Sequence, residues 1–157
     1  MFKPIFIVST LILFSLYSYA DNTTAESNSL NKIPSGTYVK AELLTSIVTT
    51  GNESNLIPVK LKITGQMYAP NQYTLNLGDC IVSGNARHDF SSERIMITPY
   101  EMSCTKNNNH QVLKVSGWIV GNDNKAGIQS NLDKSNSQSS RLIPENNNHN
   151  VTVVFNN

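Results

Sequence analysis

Short runs of strictly alternating residues, each cut off by a turn signal, constrain this chain most. Val59, Leu61 and Ile63 alternate with Lys60, Lys62 and Thr64. A period of two with lysines outward describes a half-buried antiparallel strand. Thr37 to Thr50 is rich in Val, Ile, Thr and Tyr, residues that fit a pleated sheet, and its alternation slips at Leu43 and Leu44, where a bulge is expected. Tyr73, Leu75 and Leu77 suggest a further strand, and Asp79 to Gly84 another. Arg94 to Cys104 reads as a long strand in which Pro99 marks an edge or a bulge. Lys106-Asn107-Asn108-Asn109 is a hairpin turn, after which Gln111 to Gly121 pairs back. In that last run Leu113, Val115 and Ile119 face one way and Lys114, Ser116 and Trp118 the other. Asn122 to Lys125 turns the chain again, and Val151 to Phe155 is a final strand. No stretch after residue 20 sustains a helical period. The fold class that follows is all-β, a distorted antiparallel β-barrel or sandwich.

The ends of the chain carry different signals. Met1-Phe2-Lys3 is a positive start, Ile5 to Tyr17 is almost wholly apolar, and Ser18-Tyr19-Ala20 supplies small residues at a cleavage position. This is the layout of an export signal, so residues 1–20 are expected to be removed between Ala20 and Asp21. The apolar run is shorter than the ~20 residues a spanning helix needs, and no later segment is apolar enough to span. Residues 21–32 are polar and aperiodic, a flexible leader. Ile33-Pro34-Ser35-Gly36 is the turn at which the ordered domain, residues 33–157, is expected to begin. Residues 133–150 are rich in Ser and Asn and interrupt the strand rhythm as a polar loop.

Two cysteines, Cys80 and Cys104, stand in this strand-rich middle. An exported chain meets an oxidising compartment, which favours a disulfide between them; two buried free thiols are the alternative. There is no Cys-x-x-Cys spacing, so a metal site is not expected. Lys and Arg number 12 and Asp and Glu 11, scattered along the chain, which leaves no basic footprint for nucleic acid.

No catalytic set emerges. His88, Asp89, Ser91 and Ser92 name the parts of a hydrolase triad but are nearly contiguous, whereas a triad is assembled from separate elements. They read as a polar turn in which the serines bond nearby backbone and Arg94 pairs with a neighbouring carboxylate. Asp123 between Asn122 and Asn124 lacks the calcium-loop pattern and reads as a turn. His110 and His149 have no metal-ligand spacing. Trp118, on the polar side of its strand, is the candidate interface residue. No enzyme, cofactor or metal is expected.

Taken in order, several motifs resemble the C-terminal domain of the TraB/TrbI family, the scaffold of conjugation and type IV secretion core complexes. They are Ile33-Pro34-Ser35-Gly36-Thr37-Tyr38-Val39-Lys40-Ala41, Leu43-Leu44-Thr45, Pro58-Val59, Ala69-Pro70-Asn71 and Asp79-Cys80. The series continues with Ser91-Ser92-Glu93-Arg94, Ser103-Cys104, Gly117-Trp118-Ile119-Val120-Gly121, Lys125-Ala126-Gly127 and Val151-Thr152-Val153-Val154. The pair of cysteines brings the pattern nearest to the F-type branch. The resemblance implies a distorted barrel that packs beside copies of itself or related domains in a ring. It implies a TraK-like periplasmic protein and a TraV-like lipoprotein as companions, and a periplasmic site held near the outer membrane through them. It marks Ser91, Ser92, Glu93, Arg94, Gly117, Gly121 and Gly127 as motif positions of structural weight. Two features of the family are not matched: the inner-membrane arm, where this chain has an export signal, and the helical hairpin before the last strand, where it has the polar residues 133–150. Pore formation is therefore not expected. The other function the sequence allows is a free periplasmic or secreted binding protein that holds a peptide or glycan.

Overall fold

A computed structural model describes residues 32–49, 56–70, 73–129, 140–142 and 150–156. The expected export signal, nearly all of the expected leader and most of the expected polar loop lie outside the described residues. The strands are β1 (Tyr38–Leu43), β2 (Ile47–Thr49), β3 (Ile57–Ile63), β4 (Met67–Tyr68), β5 (Thr74–Leu75) and β6 (Asp79–Asp89). They continue with β7 (Arg94–Lys106), β8 (Asn109–Lys114), β9 (Gly117–Val120), β10 (Ile128–Gln129), β11 (Ser140–Leu142) and β12 (Asn150–Phe155). The main sheet runs β10-β7-β6-β3-β1-β12-β9, with β4 and β8 added beside β1 and β7, β5 beside β4, and β2 pairing separately with β11. Every ladder is antiparallel. No helix among the described residues is long and apolar enough to cross a membrane.

Alternation places the core. Val39, Ala41 and Leu43 of β1, Val59 and Leu61 of β3, and Val151, Val153 and Phe155 of β12 are all buried. Fully burying one of the Val, Leu or Phe side chains contributes about 1.5–3 kcal/mol over leaving it exposed. Along β7 the inward set is Ile95, Ile97 and Pro99, then Met102 and Cys104. The phase changes because Gly84 faces Pro99 while Ser83 faces Glu101, so Tyr100 is the extra residue of a bulge. This is the irregularity expected of Pro99.

Cys80 and Cys104 lie directly opposite each other on β6 and β7 and form a disulfide, with Cα atoms 4.1 Å apart. Both are buried, so the bridge is part of the core. The hairpin that follows turns on Asn107 and Asn108, with φ of 49° and 62°. Two successive left-handed residues make the tight turn whose twist matches paired strands, and asparagine tolerates that conformation.

The sheet does not close into a barrel, so the architecture is sandwich-like. On the side of β7 away from β6, β10 covers Arg94 and Ile95 and β8 covers Glu101 to Lys106. Residues 96–100 carry no ladder there. Pro99 has no N–H to donate and the Tyr100 bulge breaks the spacing, so a continuous ladder cannot form along this seam. β9 and the lead-in to β10 meet only through an isolated bridge, Val120 with Gly127, and the Gly127 N–H donates to the Ile119 carbonyl at 2.8 Å.

Local details depart from the sequence expectations. The chain does not bulge at Leu43 and Leu44; β1 ends there, with Leu43 buried and Leu44 exposed. The strand of Tyr73 to Leu77 shortens to Thr74–Leu75, and that of Asp79 to Gly84 lengthens to Asp89. The single run Gln111 to Gly121 is two strands with different partners, β8 on β7 and β9 on β12. Val115 anchors the crossing between them by donating to the Tyr100 carbonyl at 3.1 Å.

Candidate functional site

The turn between β6 and β7 is built on one carboxylate. Ser91 Oγ donates to both Asp89 oxygens at 3.1 Å, and Ser92 Oγ donates to Oδ2 at 2.5 Å. These bonds, Ser92 first and Ser91 next, hold the Asp89 carboxyl below its ordinary pKa. The serines were expected to bond backbone; a side-chain acceptor two and three residues back is nearer and charged. His88 packs edge-on against Phe90, ring centroids 5.0 Å apart. Glu93 takes a left-handed φ of 53°, which aims the following residue across the seam.

That residue is Arg94. Its Nη1 and Nη2 donate to the two oxygens of Asp123 at 2.7 and 2.8 Å. Nε donates to the Ala126 carbonyl at 2.6 Å, and Nη2 also reaches the Gly127 carbonyl at 2.6 Å. A planar guanidinium is the side chain whose fixed fork can hold a carboxylate and adjacent carbonyls together. The Arg94 hydrogen bonds lower the Asp123 pKa. The partner lies 29 residues away, not in the same turn as expected from sequence.

Two of the motif glycines, Gly121 and Gly127, stand beside this lock. A Cβ on Gly121 would lie 2.8 Å from the Gly127 carbonyl oxygen and 3.3 Å from Arg94 Nη2. Gly127 has a φ of +76°, and a Cβ there would lie 2.6 Å from Met96 Sδ. Gly117 has a φ of +153°, and its Cβ would fall on the Val154 carbonyl. Arg94, Gly121 and Gly127 thus tie the turn after β9 to the start of β7, and Ser91, Ser92 and Glu93 shape the turn that precedes Arg94. Gly117 lets β9 approach β12.

Behind the seam, the outward face of the sheet carries an aromatic row. Tyr68 pairs with Tyr38, Tyr38 with Val154, and Val154 with Trp118, across β4, β1, β12 and β9. Residues directly opposite in a sheet project to the same face, so the four side chains stand in line. Tyr38 is 49%, Tyr68 37% and Trp118 42% exposed, while Val154 is half-buried between them. Tyr38 and Tyr68 stack, centroids 5.5 Å apart and 24° from parallel. One step along the strands, Lys40 Nζ donates to Thr152 Oγ1 at 2.9 Å. Trp118 is outward, as alternation required; the two tyrosines were not singled out. Their only sequence signal is phase: Tyr38 is out of step with Val39 and Ala41.

Other features carry less chemistry. A cleft of about 260 Å³ at the β3–β4 and β5–β6 connections is lined by aliphatic and amide groups such as Ile63, Met67, Leu77 and Gln66. Among the described residues no three His, Cys, Asp or Glu side chains converge as metal ligands. His110 sits on β8 between the hydroxyls of Ser103 and Thr105, at 3.3 and 3.2 Å. His149 lies outside the described residues.

No family model matches the chain. Protein TraB of Escherichia coli (strain K12) is 33% identical to it over 105 residues. The match takes in 64% of this chain, and the chain spans 22% of the length of TraB. Over that stretch this chain is a distant, partial relative of TraB.

Proposed function

We propose that the chain is a non-enzymatic structural or accessory subunit of an envelope-spanning conjugation or type IV secretion complex. The observation that carries this is the 33% identity to TraB over 105 residues. The order of motifs from Ile33 to Val154 supports placing that kinship in the C-terminal domain of the F-type branch. The buried disulfide fits residence in the periplasm, near the outer membrane through partners. Copies of this chain or related scaffold domains, a TraK-like protein and a TraV-like lipoprotein are the proposed companions. The aromatic row is the proposed contact. Exposed Tyr and Trp bring large apolar area with a polar tip and dominate binding energy where they are covered.

Deletion of the chain, complemented by the natural sequence or by Trp118→Ala, tests this. The deletion should lower transfer of DNA or protein substrates, and Trp118→Ala should fail to restore it while accumulating as folded, disulfide-bonded protein. Unchanged transfer on deletion, with a strictly monomeric native protein, would instead make it a free binding protein.

A further inference from the structure

We infer that the aromatic row is a receptor for a proline-rich segment in polyproline II conformation, carried by a partner subunit and bearing an acidic side chain beside the prolines. This rests on the row being the contact surface of a subunit, and it names what that surface holds.

The first argument is spacing. Tyr38 and Trp118 stand on β1 and β9, two strands apart with β12 between. Neighbouring strands lie about 4.7–4.9 Å apart, so the two aromatic walls are separated by roughly 9.5 Å. One turn of polyproline II, three residues at about 3.1 Å each, is roughly 9.3 Å long. A segment laid across the strands along the row therefore repeats once per wall-to-wall interval.

The second argument is shape and chemistry. Val154, half-buried, stands in the row between Tyr38 and Trp118, and Tyr68, stacked on Tyr38, flanks the tyrosine on its far side. An apolar slot between an aromatic pair accepts a pyrrolidine ring, and a polyproline II segment arrives with little conformational entropy left to lose. Such a segment has no internal hydrogen bonds, so its carbonyls need donors. The hydroxyls of Tyr38 and Tyr68 and the indole N–H of Trp118 stand on the same outward face.

The third argument is charge. Lys40 is the cation beside the slot, leaning over β12 to Thr152. Among the described residues no carboxylate pairs with it. A ligand carboxylate beside the row would do so, which sets the sign of the ligand charge.

Trp118 is the chain's single tryptophan, so its emission reports the slot directly. The purified, oxidised protein is titrated with a short polyproline peptide carrying one glutamate at one end. The controls are the same peptide with lysine and a Gly-Ser peptide of equal length with glutamate. The expected result is a saturable change with the glutamate polyproline peptide, weaker with lysine and absent with Gly-Ser. Tyr38→Ala should weaken binding about tenfold or more, Ile81→Ala on another strand should leave it unchanged, and Lys40→Glu should switch the preference to the lysine peptide. No saturable change with either polyproline peptide, on protein whose near-UV dichroism shows an intact fold, overturns the proposal. So does finding Trp118 covered by a second copy in sedimentation, or a response to a chito-oligosaccharide instead. Failure here with intact association in the envelope removes the proline receptor and leaves the subunit role standing. Lost association with intact peptide binding does the reverse.

Discussion

Arg94 at the start of β7 and Asp123 in the turn after β9 hold each other through two parallel bonds, Nη1 to Oδ2 at 2.7 Å and Nη2 to Oδ1 at 2.8 Å. The pair spans the seam where the sheet fails to close. The Arg94 side chain is 11% exposed and that of Asp123 35%, so the arginine is the more buried partner. Removing Arg94 also strips the Ala126 and Gly127 carbonyls of a charged donor. Arg94→Ala should destabilise the domain by roughly 1–3 kcal/mol, the cost of leaving such acceptors unmade. Arg94→Lys should recover little of it, because an ammonium is a point charge without the fork. Urea unfolding monitored by Trp118 fluorescence checks both.

The same pair sets an acid limit. Asp123 has a folded-state pKa below its ordinary value, chiefly through the Arg94 hydrogen bonds. Its contribution is present above the unfolded-state pKa and is lost as pH falls through the lowered, folded value. Stability from this pair should therefore be flat from neutral pH down to the ordinary carboxylate range and fall only in stronger acid. Asp123→Asn should flatten that acid limb. Thermal melts across a pH series decide it, and a loss of the wild-type advantage near neutral pH would count against the account.

Cys80→Ser or full reduction should cost roughly 2–5 kcal/mol, since the bridge closes a loop between residues 24 apart and both sulfurs sit in the core. The protein should resist alkylation of Cys80 and Cys104 under non-reducing conditions. Denaturant midpoints with and without reductant provide the measurement.

Gly117→Ala should destabilise by about 2–4 kcal/mol, because a left-handed φ and a clash with the Val154 backbone are imposed together. Gly127→Ala should be milder, since its nearest backbone approach, 2.8 Å to the Ile95 carbonyl oxygen, is looser than that of Gly117 to Val154, although its φ is also positive. The order of the two in midpoint shift is the test.

Much of the architecture was legible where it depends on local period. The outward lysines of β3, the tight Asn107–Asn108 turn, the irregularity at Pro99 and the outward Trp118 all follow from alternation or turn chemistry. The cysteine pair was legible as chemistry, and the register of β6 against β7 makes it geometry. The division of Gln111 to Gly121 into β8 and β9 was not, because both halves keep the same inward phase and only their partners differ. The Arg94–Asp123 lock and the aromatic row were hidden for the same reason. Tyr68, Tyr38, Val154 and Trp118 come from four strands spread along the chain, and only the pairing order β4-β1-β12-β9 lines them up.

The most direct test of the central claim is photocrosslinking in intact cells that express the chain with its native neighbours. A benzophenone amino acid replaces Tyr38 in one strain and Ile81, exposed on β6, in another. The account predicts a discrete product at Tyr38 that mass spectrometry identifies as a subunit of the conjugation or secretion envelope complex, lost when Trp118→Ala is added. No envelope-subunit product at Tyr38, with such a product at Ile81, would contradict it.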